Sequence, residues 1–366
     1  MKQRSLLLFE NSIKSEATKK EYFKSLNRFK EFFKLKDFDS IIKMEPKQIQ
    51  IMIEDYVMEI KNHLSPNTVP TRIFPIQTFC DVNDVILNWK KIRRLFPAKV
   101  KRSGAKPWTT KNIQKMLEYS PDARSKALIH FLASTGVRIG AISELRLKHL
   151  AEMSGGCKSV IVYPDSTEEY VTYMTPEASK ALNVYLNKRR DDGELIKPDS
   201  PVFRTQYQIG IQKVTPLSER GMSNVMQRVI KRSLIKREKN NGPRYDVQLD
   251  HGFRKRWNTI LKLNKDISPA VVEKMMGHKV NLDHVYMTPT DDQMFGEFQK
   301  AIADLTIDDS ERVRVENEKL ETEKTELEKK VDEIEEMKRQ QADENARRDQ
   351  ALEYLMAKEK AREENI

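Results

Sequence analysis

Cysteine is almost absent. The only two, Cys80 and Cys157, form no Cys-x-x-Cys pair and have no flanking histidine cluster. A small disulfide-stapled fold is thereby excluded, and a structural zinc site has no ligands, so no metal is expected and both cysteines are expected as buried free thiols. Long apolar runs are missing too. No stretch approaches the roughly 20 apolar residues that a bilayer span needs, and the Leu-Leu-Leu-Phe run at Leu6–Phe9 is too short for a signal core. These absences predict a soluble, cytoplasmic protein with no membrane partner. Charge is plentiful instead: 66 Lys/Arg against 55 Asp/Glu give a formal +11, which points to a polyanionic partner.

That charge is unevenly placed. Residues 310–366 hold 13 Lys/Arg and 18 Asp/Glu, net −5, which leaves +16 on residues 1–309. The body is therefore the expected polyanion binder, because excess Lys/Arg neutralises phosphates and releases their counterions. A chain of 366 residues has room for two or three domains. In the first hundred residues, Tyr22, Leu26, Phe29 and Phe33 recur at helical spacing. Ser65-Pro66 predicts a helix start, with a helical segment running towards Trp89 and carrying Lys90, Lys91, Arg93 and Arg94. Pro97–Pro107 combines two prolines, a glycine and four Lys/Arg, the composition of a solvated linker. Domains are expected at 1–98 and 108–305, joined by a linker at 99–107.

Past Trp108, Thr109 or Thr110 caps a helix through Ile113 and Met116, a more apolar helix spans 125–134, and Gly136 breaks it before a helix from Val137 through Ile142 to Leu145. Ser159–Tyr163 and Tyr170–Met174 read as an antiparallel hairpin, and helices carry the chain on to Leu305. The expected fold is mainly α with a small antiparallel β-sheet. From Ser310 proline and glycine disappear, while Val313, Leu320, Leu327 and Ile334 recur every seven residues with Val331 at a complementary position. A coiled coil over 310–366 is expected, and a lone charged helix held by i,i+4 pairs is the alternative, because Asn317, Lys324 and Lys338 interrupt the seam.

Four clusters in the second domain carry chemistry. Thr135-Gly136-Val137-Arg138 places an arginine at a helix start. His251-Gly252-Phe253-Arg254 puts His and Arg on one helical face. Met275-Met276-Gly277-His278 ends a helix that begins at Ser268-Pro269, and Gly277 suits the left-handed position after its last turn. Tyr286 follows in Asp283-His284-Val285-Tyr286. Two arginines offer forked donors for the non-bridging oxygens of a phosphodiester, two histidines offer hydrogen bonds or proton transfer, and a tyrosine offers an attacking oxygen.

As a set, these boxes resemble the tyrosine recombinase (phage-type integrase) family over roughly residues 10–300, and Met-Gly-His followed closely by Tyr286 is similar to the archaeal mobile-element branch. The resemblance implies a helical core-binding domain at 1–98, a catalytic domain at 108–305, and a catalytic set of Arg138, His251, Arg254, His278 and Tyr286. It implies site-specific integration or excision of a mobile element through a 3′-phosphotyrosyl intermediate, without metal, nucleotide or other cofactor. It also implies double-stranded DNA as partner, self-association into a tetrameric synapse, location on the nucleoid, and a clamp formed by the two domains. The tail adds a coiled-coil partner surface. One departure stands out. The family carries a general-acid lysine in the hairpin turn, but Pro164–Glu169 contains none, and Lys158 lies at the far end of its strand. A non-catalytic DNA-binding protein of the same fold and a type IB topoisomerase are the alternatives. The terminal stripe of Met294, Phe295, Phe298, Ile302 and Leu305 has two readings: packing on its own domain or on a neighbouring protomer.

Overall fold

The computed structural model describes residues 3–100, 106–205, 214–239, 244–278 and 287–363. The chain divides into two compact units, residues 1–102 and 103–366. Of the expected linker, residues 101–105 lie outside the described residues.

The first unit consists of helices α1 (Arg4–Ser12), α2 (Glu16–Phe32), α3 (Phe38–Ile42), α4 (Pro46–His63), α5 (Val69–Val82) and α6 (Trp89–Arg94). Ser15 caps α2 by accepting the Thr18 N–H, and the expected apolar stripe buries Leu26 and Phe29 completely. Phe29 meets Tyr56 of α4 edge-on at 5.3 Å between ring centroids. The Ser65-Pro66 helix start is corrected. Residues 65–68 close a turn through the Thr68 N–H and Ser65 carbonyl (2.7 Å), and the helix opens at Val69 with Pro70 in its first turn. It stops at Val82, where Asp84 takes φ +59°, so Trp89 begins a separate short helix with exposed Lys90, Lys91, Arg93 and Arg94.

The second unit opens with α7 (Thr110–Glu118), capped by Thr109, and α8 (Ala123–Thr135). Leu128, Ile129, Phe131 and Leu132 of α8 are fully buried, making it the central rod of the unit. Next come α9 (Ile139–Ile142), a 3₁₀ turn at Leu147–His149, and an antiparallel sheet of β1 (Leu150–Glu152), β2 (Lys158–Val162) and β3 (Tyr170–Met174) in that order, with Val160 paired to Leu150 on one side and Thr172 on the other. The chain continues through α10 (Pro176–Asp191), α11 (Glu219–Arg232), α12 (His251–Leu263), α13 (Pro269–Met275), α14 (Asp291–Gln299), α15 (Ile302–Leu305) and α16 (Asp309–Glu363). The mainly helical fold with a small antiparallel sheet is as expected. The helix after Gly136 is shorter than expected, ending at Ile142 rather than Leu145, and β1 was not anticipated.

Both cysteines are buried free thiols, as expected, and burial pushes Cys80 up to about 12 and Cys157 up to about 11. Among the described residues, no helix is long and apolar enough to cross a membrane. The terminal apolar stripe packs on its own unit: the Phe295 and Phe298 rings lie tilted against Tyr173 at 5.3 and 5.4 Å between centroids, and Leu305 is buried in the same cluster. The approach to α16 is pinned by the Glu177 carboxylate, which accepts the Ile307 and Asp308 N–H groups at 2.9 Å each. Beyond that anchor α16 runs as one helix, with Val313, Leu320, Leu327, Val331 and Ile334 between 48% and 62% exposed.

Candidate active site

The site begins at a glycine. Gly136 ends α8 at φ +61°, donating its N–H to the Leu132 carbonyl at 3.2 Å. A Cβ there would lie 2.8 Å from Trp257 Cγ, and the Trp257 indole donates to the Ser134 carbonyl at 2.7 Å, so this turn is clamped against α12. Two residues later Arg138 occupies the N-cap of α9, where its side chain is exposed on the wall of a cavity of about 760 Å³.

Helix α12 supplies the next two groups. His251, its first residue, lies on the cavity wall, while Phe253 turns inward and is completely buried. Arg254 also lines the cavity but is only 3% exposed, because three of its five N–H groups are turned to partners within the protein. Nη1 donates to the Gly136 carbonyl at 2.8 Å, and Nη2 donates to the Met276 carbonyl at 2.6 Å. Nη2 also lies 2.9 Å from His278 Nε2. One planar cation thus ties together the α8–α9 turn, α12 and the end of α13.

His278 is placed by how α13 ends. The Gly277 N–H donates to the Lys274 carbonyl (2.8 Å) and the His278 N–H to the Glu273 carbonyl (3.0 Å), the paired bonds of a Schellman motif, with Gly277 at φ +62°. That closure brings His278 back over Glu273, whose Oε2 lies 2.5 Å from Nδ1. Guanidinium N–H groups only donate, so Nε2 must accept from Arg254; Nδ1 then carries the proton and donates it to Glu273. The other carboxylate oxygen pairs with Lys262. Although desolvation opposes it, hydrogen bonds from Lys262 and His278 hold the Glu273 carboxyl below its ordinary range.

This chain of contacts gives a prediction. Glu273 has a depressed folded pKa, so its stabilising contribution is present above the ordinary carboxylate range and lost as pH falls through the depressed value. Glu273→Ala is expected to cost about 1–2 kcal/mol at pH 7, with the deficit shrinking below about pH 4, whereas Glu273→Gln retains an acceptor for Nδ1 and recovers part of it. Urea unfolding of the three proteins across pH 3–8 checks this. A deficit independent of pH counts against the ionised partner.

The electrostatics around the cavity favour an anion. Arg138, His251, Arg254, Arg237 and Arg244 line it, with Glu219 and Asp250 as acidic members. Desolvation, then Lys255, Arg254 and Arg138, hold the His251 imidazole below its ordinary range, leaving it neutral at pH 7 and able to accept a proton. Burial raises the Tyr163 and Tyr170 phenols, which flank the arginines from the hairpin, so both stay protonated. The Tyr170 hydroxyl is buried beside Arg254 without a well-formed hydrogen bond. Among the described residues, no cluster of His, Cys, Asp and Glu is arranged to hold a metal ion.

Four of the five expected site residues thus come together: Arg138, His251 and Arg254 share one cavity, and His278 joins them through Arg254. Tyr286 lies outside the described residues. Lys158 does not join the site: it opens β2, at the opposite end of the strand from the turn, is 7% exposed, and is ion-paired with Glu152 across from it on β1. Glu273, Tyr163, Tyr170 and Trp257 were missed from the sequence. Glu273 had one available signal, its place five residues before His278 on a helix that closes with glycine. The two tyrosines had none, since they reach the site only through strand pairing.

A model of the phage integrase family matches residues 106–291. No curated protein matches the chain. Among solved structures, it is similar to the Tn1549 transposon integrase in complex with circular intermediate DNA, with a TM-score of 0.53 and 14% identity over 81% of this chain and 99% of that one. It is also similar to a lambda integrase dimer bound to a COC′ core site (TM-score 0.49, 17% identity, 78% and 97% covered) and to XerA recombinase (TM-score 0.38, 18% identity, 81% and 97% covered). At these identities the likeness to the Tn1549 integrase is one of fold.

Proposed function

The chain belongs to the phage integrase family, and from that premise we propose that it is a site-specific tyrosine recombinase that cuts and rejoins double-stranded DNA to integrate or excise a mobile element. The observation that carries this is the convergence of Arg138, His251 and Arg254 on one cavity, with His278 bonded to Arg254. In the proposed reaction the Tyr286 oxygen attacks the scissile phosphorus. A 3′-phosphotyrosyl bond forms, the bond to the 5′ oxygen breaks, and a 5′ hydroxyl from a second duplex later reverses the step. Arg138 and Arg254 stabilise the charge that grows on the non-bridging oxygens, work done by bound metal ions in other phosphoryl-transfer enzymes, so neither metal nor nucleotide enters the scheme. Neutral His251 takes the phenol proton.

Binding is proposed to rest on phosphates. The net +16 of residues 1–309 supplies a basic surface, and Arg237, on the cavity wall, is stacked 4.1 Å over the Tyr245 ring, which fixes its guanidinium for backbone contact. The complete reaction requires self-association on DNA, with four protomers in the synapse. A competing function, DNA binding without cleavage on the same fold, is favoured by one observation: the hairpin turn has no lysine and Lys158 is engaged by Glu152, so the 5′ oxygen has no assigned proton donor.

A nicked suicide duplex bearing the element's own junction separates the two. The expected result is a covalent protein–DNA complex on a denaturing gel, abolished by Tyr286→Phe while DNA binding persists. An undiminished adduct in the variant refutes Tyr286 as nucleophile, and no adduct from the unaltered chain favours the non-catalytic function.

A further inference from the structure

The tail helix α16 offers an interaction surface whose orientation is written in its charges. With Val313, Leu320, Leu327 and Ile334 at heptad position d, position a holds Asn317, Lys324, Val331 and Lys338. All eight side chains are exposed on the single chain. The apolar ones favour a covering helix, and the polar positions in and beside the seam decide which helix and in which direction.

A parallel pair of copies sets equal positions against each other. Lys324 and Lys338 would each meet their own copy in the core, while Glu316 would face Glu321 and Glu323 would face Glu328 across the flanks; between residues 316 and 335 only Lys330 with Glu335 attracts. An antiparallel pair sets a against d. Aligned on their apolar runs, two copies place Val331 against Leu320, Lys324 against Leu327, Asn317 against Ile334 and Lys338 against Val313. No like charges meet in the core, and each lysine lays its aliphatic stem along an apolar neighbour with the ammonium at the rim. One flank sets Glu323 against Lys330 and Glu316 against the uncharged Met337. The other collects Glu321, Glu328 and Glu335, with Arg314 reaching Glu335 as its one attraction.

We infer that residues 310–338 pair antiparallel with the same segment of a second copy of this chain. The two bodies then attach to opposite ends of a two-helix rod roughly 40 Å long, at 1.5 Å per residue. This interaction is independent of DNA and of the proposed chemistry, so it can fail or hold on its own.

The test uses full-length Leu320→Cys and Val331→Cys variants, one carrying a mass tag, without DNA and under oxidised glutathione; the native thiols are buried. Antiparallel pairing puts these two positions in one core layer. The expected result is a disulfide-linked dimer formed several-fold more from the mixture than from either variant alone. Self-linked dimers from each variant alone would overturn the inference in favour of a parallel pair. An absence of linkage, together with sedimentation identical to a Leu320→Asp, Leu327→Asp double variant, would overturn it in favour of another occupant, such as a helix with basic flanks.

Discussion

Arg254→Lys is expected to lower the rate of covalent DNA capture by about two to three orders of magnitude and to destabilise the second unit by about 2–4 kcal/mol. Both effects have one origin. The guanidinium donates to the Gly136 carbonyl, the Met276 carbonyl and His278 Nε2, three acceptors on two segments, and is almost wholly buried. A lysine ammonium is compact and tetrahedral and cannot span them, so at least one carbonyl loses its donor in a dry environment, at about 1–3 kcal/mol for each group left unpaired. His278 loses the contact that fixes its Nε2, and the cavity loses a rigid planar cation beside Arg138. Charge is conserved in this substitution, which separates geometry from electrostatic attraction: DNA affinity and its salt dependence are expected to change little. Single-turnover cleavage of a nicked duplex, run beside urea unfolding, measures both quantities. A near-normal cleavage rate would mean that the fork geometry is not what the site uses.

What the sequence made legible and what it hid follow from the range of the interactions involved. Gly136 and Gly277 were readable because a left-handed cap is a local requirement, met by one residue type after a helical pattern has run out. The pairing of His251 with Arg254 on one face needed only helical periodicity, and the hairpin needed only two β-branched runs around a polar turn. Long-range contacts were not readable. Glu273 matters because a Schellman closure folds His278 back over it, and Tyr170 matters because antiparallel pairing with β2 sets it against Gly277 and Arg254. The β1 strand, Leu-Ala-Glu, has no β-branched residue and is held by its partner's register. Ser65-Pro66 carried a proper start signal, yet Pro70 four residues on competes for the first helical turn and wins. Lys158 illustrates the same limit in reverse. Its sequence position left it a candidate proton donor, and a cross-strand carboxylate that spacing alone does not reveal takes it out of the site.

Gly277→Ala is expected to cost about 2–5 kcal/mol and to remove covalent DNA capture, although the substitution adds a single methyl group. Two costs add. An alanine at φ +62° carries roughly 1–2 kcal/mol of backbone strain. Its Cβ would also stand 2.3 Å from Tyr170 Cδ1 and 2.6 Å from Cε1, inside any permissible contact. Tyr170 is not free to yield: it is 8% exposed, packed in the main core of the second unit, and pinned by the strand register that pairs it with Val162. Overpacking of this kind adds roughly 1–3 kcal/mol. The cheapest relief is to open the Schellman turn, which moves His278 off Glu273 and Arg254 and so dismantles the site as the fold loosens. Gly296 provides the control, since a Cβ there meets nothing within 4 Å and the residue lies inside α14. Gly296→Ala is expected to stabilise by about 0.5–1 kcal/mol and leave cleavage unchanged. Equal unfolding midpoints for the two alanine variants would show that the Gly277 turn is not under the constraint that its contact with Tyr170 implies.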